Sequence, residues 1–203
     1  EKTGNRRDAG GSGRTGGGDR EGIPPQYEAV FGETIANPAL VVLDIEKFAR
    51  LAHKHGVPLI VDNTFATPIN CRPFEWGADI VTHSTTKYMD GHALTVGGCI
   101  VDSGNFDWNA HAEKFPGLTT PDDSYHGVVY TEKFGKKAYI TKATAQMMRD
   151  LGSIQAPMNA FLLNIGLETL HLRVPRHCEN ARRWPNGFLP ERMWLGQLSR
   201  IKG

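Results

Sequence analysis

From about residue 26 to residue 181, short apolar runs alternate with segments of helical period, and this alternation restricts the fold more than any other feature. Strands joined by helix-length connections pair in parallel, because a parallel crossover needs a dozen or more residues. The sequence therefore predicts an α/β domain with a mostly parallel sheet and flanking helices.

The individual elements follow from apolar runs and turn residues. Strands are predicted at 29–31, 57–61, 80–82 and 99–101, and helices at 44–56, 136–151 and 157–172. Asp44 can cap the first helix, whose apolar face repeats at helical spacing, and Gly56 can end it. Aromatic, proline and glycine residues between 104 and 135 indicate an irregular surface excursion.

The two ends of the chain have a different composition from this domain. Residues 1–28 are rich in glycine and mixed charges without a hydrophobic period, so we expect this segment to be disordered. After Ala181 a proline at position 185 interrupts the helical pattern, and we treat 182–203 as a tail of unknown role. The expected domain is therefore 29–181.

Charge and cysteine content narrow the class of protein. With 23 Lys and Arg residues against 22 Asp and Glu, the net charge of +1 favours neither a nucleic acid nor a membrane surface as partner. No apolar run approaches the roughly 18 residues of a membrane span. Three widely spaced cysteines indicate reduced thiols rather than a disulfide framework or a metal site. We expect a cytoplasmic protein whose partner is a small molecule or another protein.

Polar residues follow the predicted strands, where ligands bind in open α/β sheets. Asp62 ends one strand, and Ser84, Thr86 and Lys87 follow the next, while Asn37 comes after the first. An amine, a carboxylate, hydroxyls and an amide at one edge can hold a ligand with an aldehyde, a ring nitrogen and a phosphate. Taken singly, each has an ordinary alternative: a turn cap, a solvated lysine or loop hydroxyls. Only their joint occurrence in one register favours a site.

Four segments resemble the Cys/Met-metabolism family of pyridoxal 5′-phosphate enzymes. The run DIVTHSTTKYMDGH at 79–92 is similar to the family's cofactor-attachment signature, and DNTFATP at 62–68 to the segment with the ring-nitrogen aspartate. ETIANP at 33–38 resembles the segment whose asparagine faces the ring, and GLETLHLR at 166–173 the helix toward the family's C-terminal domain. The likeness covers about 29–181.

The resemblance implies a fold and a set of roles. It implies an incomplete fold type I large-domain core that binds pyridoxal 5′-phosphate, with a homo-oligomer in the full-length family. Lys87 would bind the cofactor aldehyde covalently, Asp62 would keep the ring nitrogen protonated, Ser84 and Thr86 would contact the phosphate, and Asn37 the ring hydroxyl. His83 and His92 are interpreted as structural or supporting residues.

Residues 105–151 resemble the O-acetylhomoserine sulfhydrylases, since the lyases of the family are shorter there. This implies replacement of the acetoxy group of O-acetyl-L-homoserine by sulfide to give homocysteine. Two alternatives remain: a γ-lyase of the methionine or cystathionine type, and a truncated chain without a catalytic role. The second rests on two absences, the family's N-terminal phosphate-binding loop with its ring-stacking tyrosine and its C-terminal domain with the arginine for the substrate carboxylate.

Overall fold

The computed structural model describes residues 27–183, and the predictions for 1–26 and 184–203 lie outside these residues. Its four strands are β1 (Val30–Glu33), β2 (Leu59–Asp62), β3 (Ile80–Ser84) and β4 (Gly98–Asp102). Its α-helices are α1 (Ile45–Lys54), α2 (Thr67–Asn70), α3 (Pro116–Thr119), α4 (Tyr130–Phe134), α5 (Ala138–Lys142), α6 (Arg149–Leu151), α7 (Pro157–Glu168) and α8 (Leu170–Arg183). None of these helices is long and apolar enough to cross a bilayer.

The strands form one sheet in the order β1-β2-β3-β4. β1, β2 and β3 pair in parallel, with Glu33 opposite Asp62 and Asp62 opposite Thr82. β4 returns antiparallel to β3, with Ser84 opposite Gly98. The mostly parallel sheet confirms the expected α/β class, and the carboxyl ends of three neighbouring strands meet at one edge.

Alternate positions of the central strands face two separate cores, as expected when successive side chains point to opposite faces of a sheet. Val61 and Val81 pack with the α1 residues Ile45 and Ala49 in one cluster. On the other face Ile80 packs with aromatic residues of the 106–139 region, among them Trp108 and the fully buried Tyr130. Helical layers therefore cover both faces of β2 and β3.

Helix α1 begins and ends where its sequence predicts. The Asp44 carboxylate accepts a hydrogen bond from the Lys47 amide at 3.0 Å, which satisfies one of the unpaired donors of the first turn. Gly56 follows the helix with a φ of +65°, a conformation that glycine adopts without steric cost. The cap fixes the connection between β1 and β2.

The later helices differ from their predicted bounds. The predicted helix 136–151 contains a 3₁₀ turn at Gly135–Lys137, α5, a π-helical stretch at Ala143–Met148 and α6. The predicted helix 157–172 is helical except at Thr169, where the chain breaks, and the second helix runs on from Leu170 to Arg183, beyond the predicted end. That helix accommodates Pro175 in its interior, so proline at this position does not end it.

Candidate functional site

A cavity of about 650 Å³ opens at the carboxyl ends of β1, β2 and β3. All five residues singled out from the sequence line it: Asn37, Asp62, Ser84, Thr86 and Lys87. Their convergence follows from the parallel pairing, since the loops after parallel strands leave the sheet on the same side.

The Asp62 carboxylate is positioned by the turn that follows β2. Its Oδ1 accepts a hydrogen bond from the Thr64 amide at 2.9 Å, and the Thr64 hydroxyl accepts one from the Ser84 amide at 2.7 Å. Thr64 thus ties the aspartate to the end of the neighbouring strand. Within the described residues, Asp62 Oδ2 and Ser84 Oγ have no hydrogen-bond partner, which leaves both for a ligand.

Lys87 lies on the turn that leaves β3 and is exposed at the cavity. Its amide donates to the Ser84 carbonyl at 3.4 Å, and its carbonyl accepts from the Gly91 amide at 2.9 Å. Backbone hydrogen bonds therefore fix the turn at both ends of the 84–91 segment. In the part of the chain that the structure describes, Lys87 Nζ forms no ion pair, so the amine is available for chemistry.

The Thr86 hydroxyl is already engaged with the backbone of Gly97. It donates to the Gly97 carbonyl at 3.2 Å and accepts from the Gly97 amide at 3.1 Å. A hydroxyl has one proton and two acceptor lone pairs, so this pair of bonds uses its only proton. To donate to a ligand phosphate, Thr86 has to exchange its bond to Gly97, whereas Ser84 does not.

Asn37 lies at the rim of the cavity on the connection after β1. Its backbone amide donates to Glu33 Oε2 at 2.8 Å, and its side chain is exposed. Glu33 ends β1 and lines the same cavity. The side-chain amide of Asn37 is therefore free to turn toward a ligand. Glu33 adds a second carboxylate, besides Asp62, to the lining of the cavity.

His83 lies on β3 between Thr82 and Ser84 and is 7% exposed. Burial lowers its pKa, and this effect outweighs the Asp62 charge and a backbone hydrogen bond to Asn63, both of which raise it. A lowered pKa keeps the imidazole neutral at neutral pH. His83 therefore contributes no positive charge that would compete for the Asp62 carboxylate.

Several further residues line the cavity although no role was assigned to them from the sequence, among them Phe65, Tyr88, Arg173 and His177. The Tyr88 ring contacts the Phe65 ring at 5.8 Å and the His177 ring at 5.7 Å, which gives an aromatic wall. Arg173 reaches the same cavity from α8. Tyr88 follows Lys87 directly, but nothing in the local sequence indicates that Arg173 and His177, some 85 to 90 residues away, return to this turn.

In chemical terms, the cavity presents a free primary amine, a carboxylate oxygen without a partner and an unengaged hydroxyl. An amine can bind an aldehyde, a carboxylate can hold a protonated ring nitrogen, and a hydroxyl can donate to phosphate.

Comparison with known proteins finds one family that matches most of the chain. The family model described as "Cys/Met metabolism PLP-dependent enzyme" matches residues 19–192. A homocysteine/cysteine synthase of Saccharomyces cerevisiae is 52% identical over 155 residues, which are 76% of this chain and 35% of that protein. The chain thus spans little more than a third of the curated relative that it matches.

Two solved structures share the fold. A Campylobacter jejuni protein described as an O-acetylhomoserine (thiol)-lyase, which carries N′-pyridoxyl-lysine-5′-monophosphate, is 36% identical with a TM-score of 0.73. The match covers 79% of this chain and 39% of that one. A cystathionine γ-lyase of Lactobacillus plantarum is 34% identical with a TM-score of 0.56, over 79% of this chain and 34% of its own.

Proposed function

This chain belongs to the Cys/Met-metabolism family of pyridoxal phosphate-dependent enzymes, and on that premise we propose that it carries the cofactor-binding core of an O-acetylhomoserine sulfhydrylase. In the proposed reaction sulfide forms a bond to Cγ of O-acetyl-L-homoserine while the bond from Cγ to the acetoxy oxygen breaks. The products are homocysteine and acetate. One observation carries this proposal: the 52% identity to a homocysteine/cysteine synthase over 155 residues of this chain.

The donor set of the cavity suits pyridoxal phosphate. Lys87 offers a free amine for the aldehyde, Asp62 keeps one carboxylate oxygen for the ring nitrogen, and Ser84 Oγ is unengaged for the phosphate. Asn37 and Thr86 complete the proposed set, Thr86 after exchange of its Gly97 bond. When bound, the cofactor supplies an electron sink for charge that develops on the substrate.

The proposed chemistry assigns a distinct task to each of two residues. Lys87 would hold the cofactor through its amine, and the freed Nζ would take and return protons at substrate Cα and Cβ as general base and acid. The negative charge of Asp62 favours the protonated form of the ring nitrogen, because an opposite charge within hydrogen-bond range stabilises the charged state. A protonated ring withdraws electrons more strongly, so Asp62 supports the proton transfers of Lys87.

The substrate class, the location and the oligomeric state are also proposals. We infer a small amino-acid substrate, a cytoplasmic location and a homo-oligomer of the complete protein. The three cysteines are free thiols, as is usual in a reducing compartment, and large apolar side chains such as Phe161 and Leu172 are more than half exposed, which suits association.

A second candidate reaction is γ-elimination, which the likeness to the cystathionine γ-lyase supports. The two reactions differ in their need for sulfide and in their product. The protein should be supplied with pyridoxal phosphate and O-acetyl-L-homoserine, with and without sulfide, beside a Lys87→Ala control. We expect homocysteine that depends on sulfide and on Lys87.

Three other outcomes would contradict the proposal, each in a different way. 2-Oxobutanoate formed without sulfide would replace it with γ-elimination. Failure to form either product would favour the third alternative, a chain without a catalytic role. Equal product from Lys87→Ala would remove Lys87 from the chemistry.

A further inference from the structure

An arginine of α8, Arg173, forms hydrogen bonds to the backbone of the turn that carries Lys87. Arg173 Nη1 donates to the Tyr88 carbonyl at 2.9 Å, and Nη2 donates to the Met89 carbonyl at 3.4 Å and to the Gly166 carbonyl at 2.7 Å. Nε donates to the Thr169 hydroxyl at 2.9 Å. The first two acceptors are the two residues directly after Lys87, so one rigid guanidinium bonds to the lysine turn and to the preceding helix at once.

The packing around this arginine leaves little room for the turn to move. A Cβ added at Gly166 would lie 2.2 Å from the Asp90 carbonyl oxygen and 2.6 Å from that of Met89. A Cβ added at Gly91 would lie 2.3 Å from Arg173 Nη1. Glycines at both contact points thus let α7 and the arginine approach the backbone of the turn closely.

Helix α8 is also linked, through the Tyr88 ring, to the aspartate side of the cavity. His177, one turn after Arg173, packs against Tyr88, and Tyr88 packs against Phe65, which follows Asp62 by three residues. A shift of α8 would therefore change the position of Lys87 relative to Asp62.

Arg173 has no acidic partner among the described residues, so its acceptors there are three backbone carbonyl groups and the Thr169 hydroxyl. Charge-assisted hydrogen bonds are stronger and shorter than neutral ones, and a planar fork imposes geometry that a flexible amine does not. An arginine that only pairs with a carboxylate of its own helix, such as Arg176 with its 65% exposed side chain and Glu179 on α8, needs no such set of acceptors.

We propose that Arg173 is a positioning residue that sets the location of the Lys87 amine in the cavity. The inference rests on the proposed binding of pyridoxal phosphate by Lys87. Its physical basis is that misplacement of a reacting group by about 1 Å can reduce a rate by about a hundredfold.

The test measures how fast Lys87 is labelled by pyridoxal phosphate in the presence of cyanoborohydride, which reduces the lysine–cofactor link but not the free aldehyde. Peptide mapping follows Lys87 and, as an internal reference, the exposed Lys54 at the end of α1. Varying the pyridoxal phosphate concentration separates the limiting rate from the half-saturating concentration. The variants are Arg173→Met and Arg173→Lys, with Arg176→Met as matched control on the same helix.

The rates are measured at a temperature well below the thermal unfolding midpoint. For Arg173→Met we expect the limiting rate at Lys87 to fall roughly tenfold to a hundredfold, with the Lys54 rate unchanged. Arg173→Lys should recover part of the rate, because an ammonium can still reach one carbonyl, and Arg176→Met should match the unaltered chain. A merely structural role predicts a lower thermal midpoint with an unchanged Lys87 rate, and that result would overturn the proposal.

Two further outcomes concern the folding of Arg173→Met and the binding of the cofactor by the unaltered chain. If Arg173→Met lacks a cooperative unfolding transition, Arg173→Lys decides: a reduced limiting rate supports the proposal and an unchanged rate overturns it. If Lys87 of the unaltered chain is labelled no faster than Lys54, the proposed binding of the cofactor by Lys87 fails, and the inference about Arg173 fails with it.

Discussion

Asp62 shows how much one side chain contributes to the proposed chemistry. Its Oδ1 is committed to the Thr64 amide, and its Oδ2 points to no described partner, so the carboxylate is held in place and still has capacity for a ring nitrogen. An asparagine at this position can keep the Thr64 bond through its carbonyl oxygen. It cannot supply the negative charge, so the substitution separates structure from electrostatics.

The prediction for Asp62→Asn compares pyridoxal phosphate with an analogue that has carbon in place of the ring nitrogen. The unaltered chain should bind pyridoxal phosphate about 10- to 100-fold more tightly than the analogue, because a hydrogen bond to a charged group is worth about 1.5 to 3 kcal/mol. Asp62→Asn should lose this preference, as measured by equilibrium titration of absorbance. An unchanged preference in Asp62→Asn would remove Asp62 from its role and leave it as a turn residue.

At the residue scale, sequence reasoning identified the five predicted side chains that meet in the cavity, because each follows a strand and parallel strands bring such positions together. It did not identify the contribution of Arg173 or His177. Their place depends on how α7 and α8 pack on the turn, which is a long-range contact without a local pattern. The engagement of the Thr86 hydroxyl with Gly97 is likewise a tertiary contact between two loops.

Helix α5, which helps to cover one face of the sheet, is held to the 116–125 segment by an ion pair as well as by apolar packing. Lys142 Nζ at the end of α5 contacts Asp122 Oδ2 at 2.6 Å and donates to the Gly117 carbonyl at 2.8 Å. Both charged side chains are largely buried, and the Lys142 ammonium lies 4.8 Å from the centre of the Tyr130 ring. This contact ties the 116–125 segment to α5.

The pair makes a prediction about stability against pH. The hydrogen bond from Lys142, together with that from Ser124, lowers the pKa of Asp122 from 3.8 to about 2. A carboxylate whose pKa is lower in the folded state contributes stability that is complete above its unfolded pKa and is lost as the pH falls through the folded value. Asp122→Asn should therefore destabilise the chain at neutral pH, and its difference from the unaltered chain should shrink between about pH 4 and about pH 2.

Urea unfolding across this pH range measures the effect, with the exposed neighbour Asp123→Asn as control. The control should show a much smaller difference at neutral pH. A difference for Asp122→Asn that is constant with pH would show that the ion pair does not stabilise the fold.

At the element scale, periodicity predicted β2, β3 and α1 because each buries an apolar face of regular period between clear turn signals. The antiparallel pairing of β4 and the π-helical stretch at Ala143–Met148 were not predicted. Strand direction depends on where the chain returns, and a π-turn differs from an α-turn only by one inserted residue. The break at Thr169 is similar, since Leu170 continues the apolar pattern beyond it.

On the scale of the whole molecule, α7 is apolar on all sides, which is typical of helices that are covered by other structure. In the described residues α7 is covered only in part: Gly166 is buried against the Lys87 turn, whereas Met158 is 64% exposed and Phe161 58%. Exposed apolar side chains this close together favour association.

We therefore predict that the apparent mass of the chain rises with concentration in light-scattering measurements after size-exclusion chromatography. The double variant Met158→Ser, Phe161→Ser should shift the distribution toward the monomer, because it removes the apolar area whose burial drives association. Lys133→Ser on α4, at an exposed position that carries a charge rather than a large apolar side chain, should leave the distribution unchanged. Identical mass at all concentrations would contradict this expectation.

Lys87 is proposed to be the covalent anchor of pyridoxal phosphate, and the proposed function depends on this role. Its direct test is borohydride reduction of the chain after addition of the cofactor, followed by peptide mapping of every lysine. We predict that the pyridoxyl group is found on Lys87, which lines the same cavity as Asp62 and Ser84. A label found instead on Lys54 or on Lys142, which is held by Asp122, would contradict the assignment on which the proposed function rests.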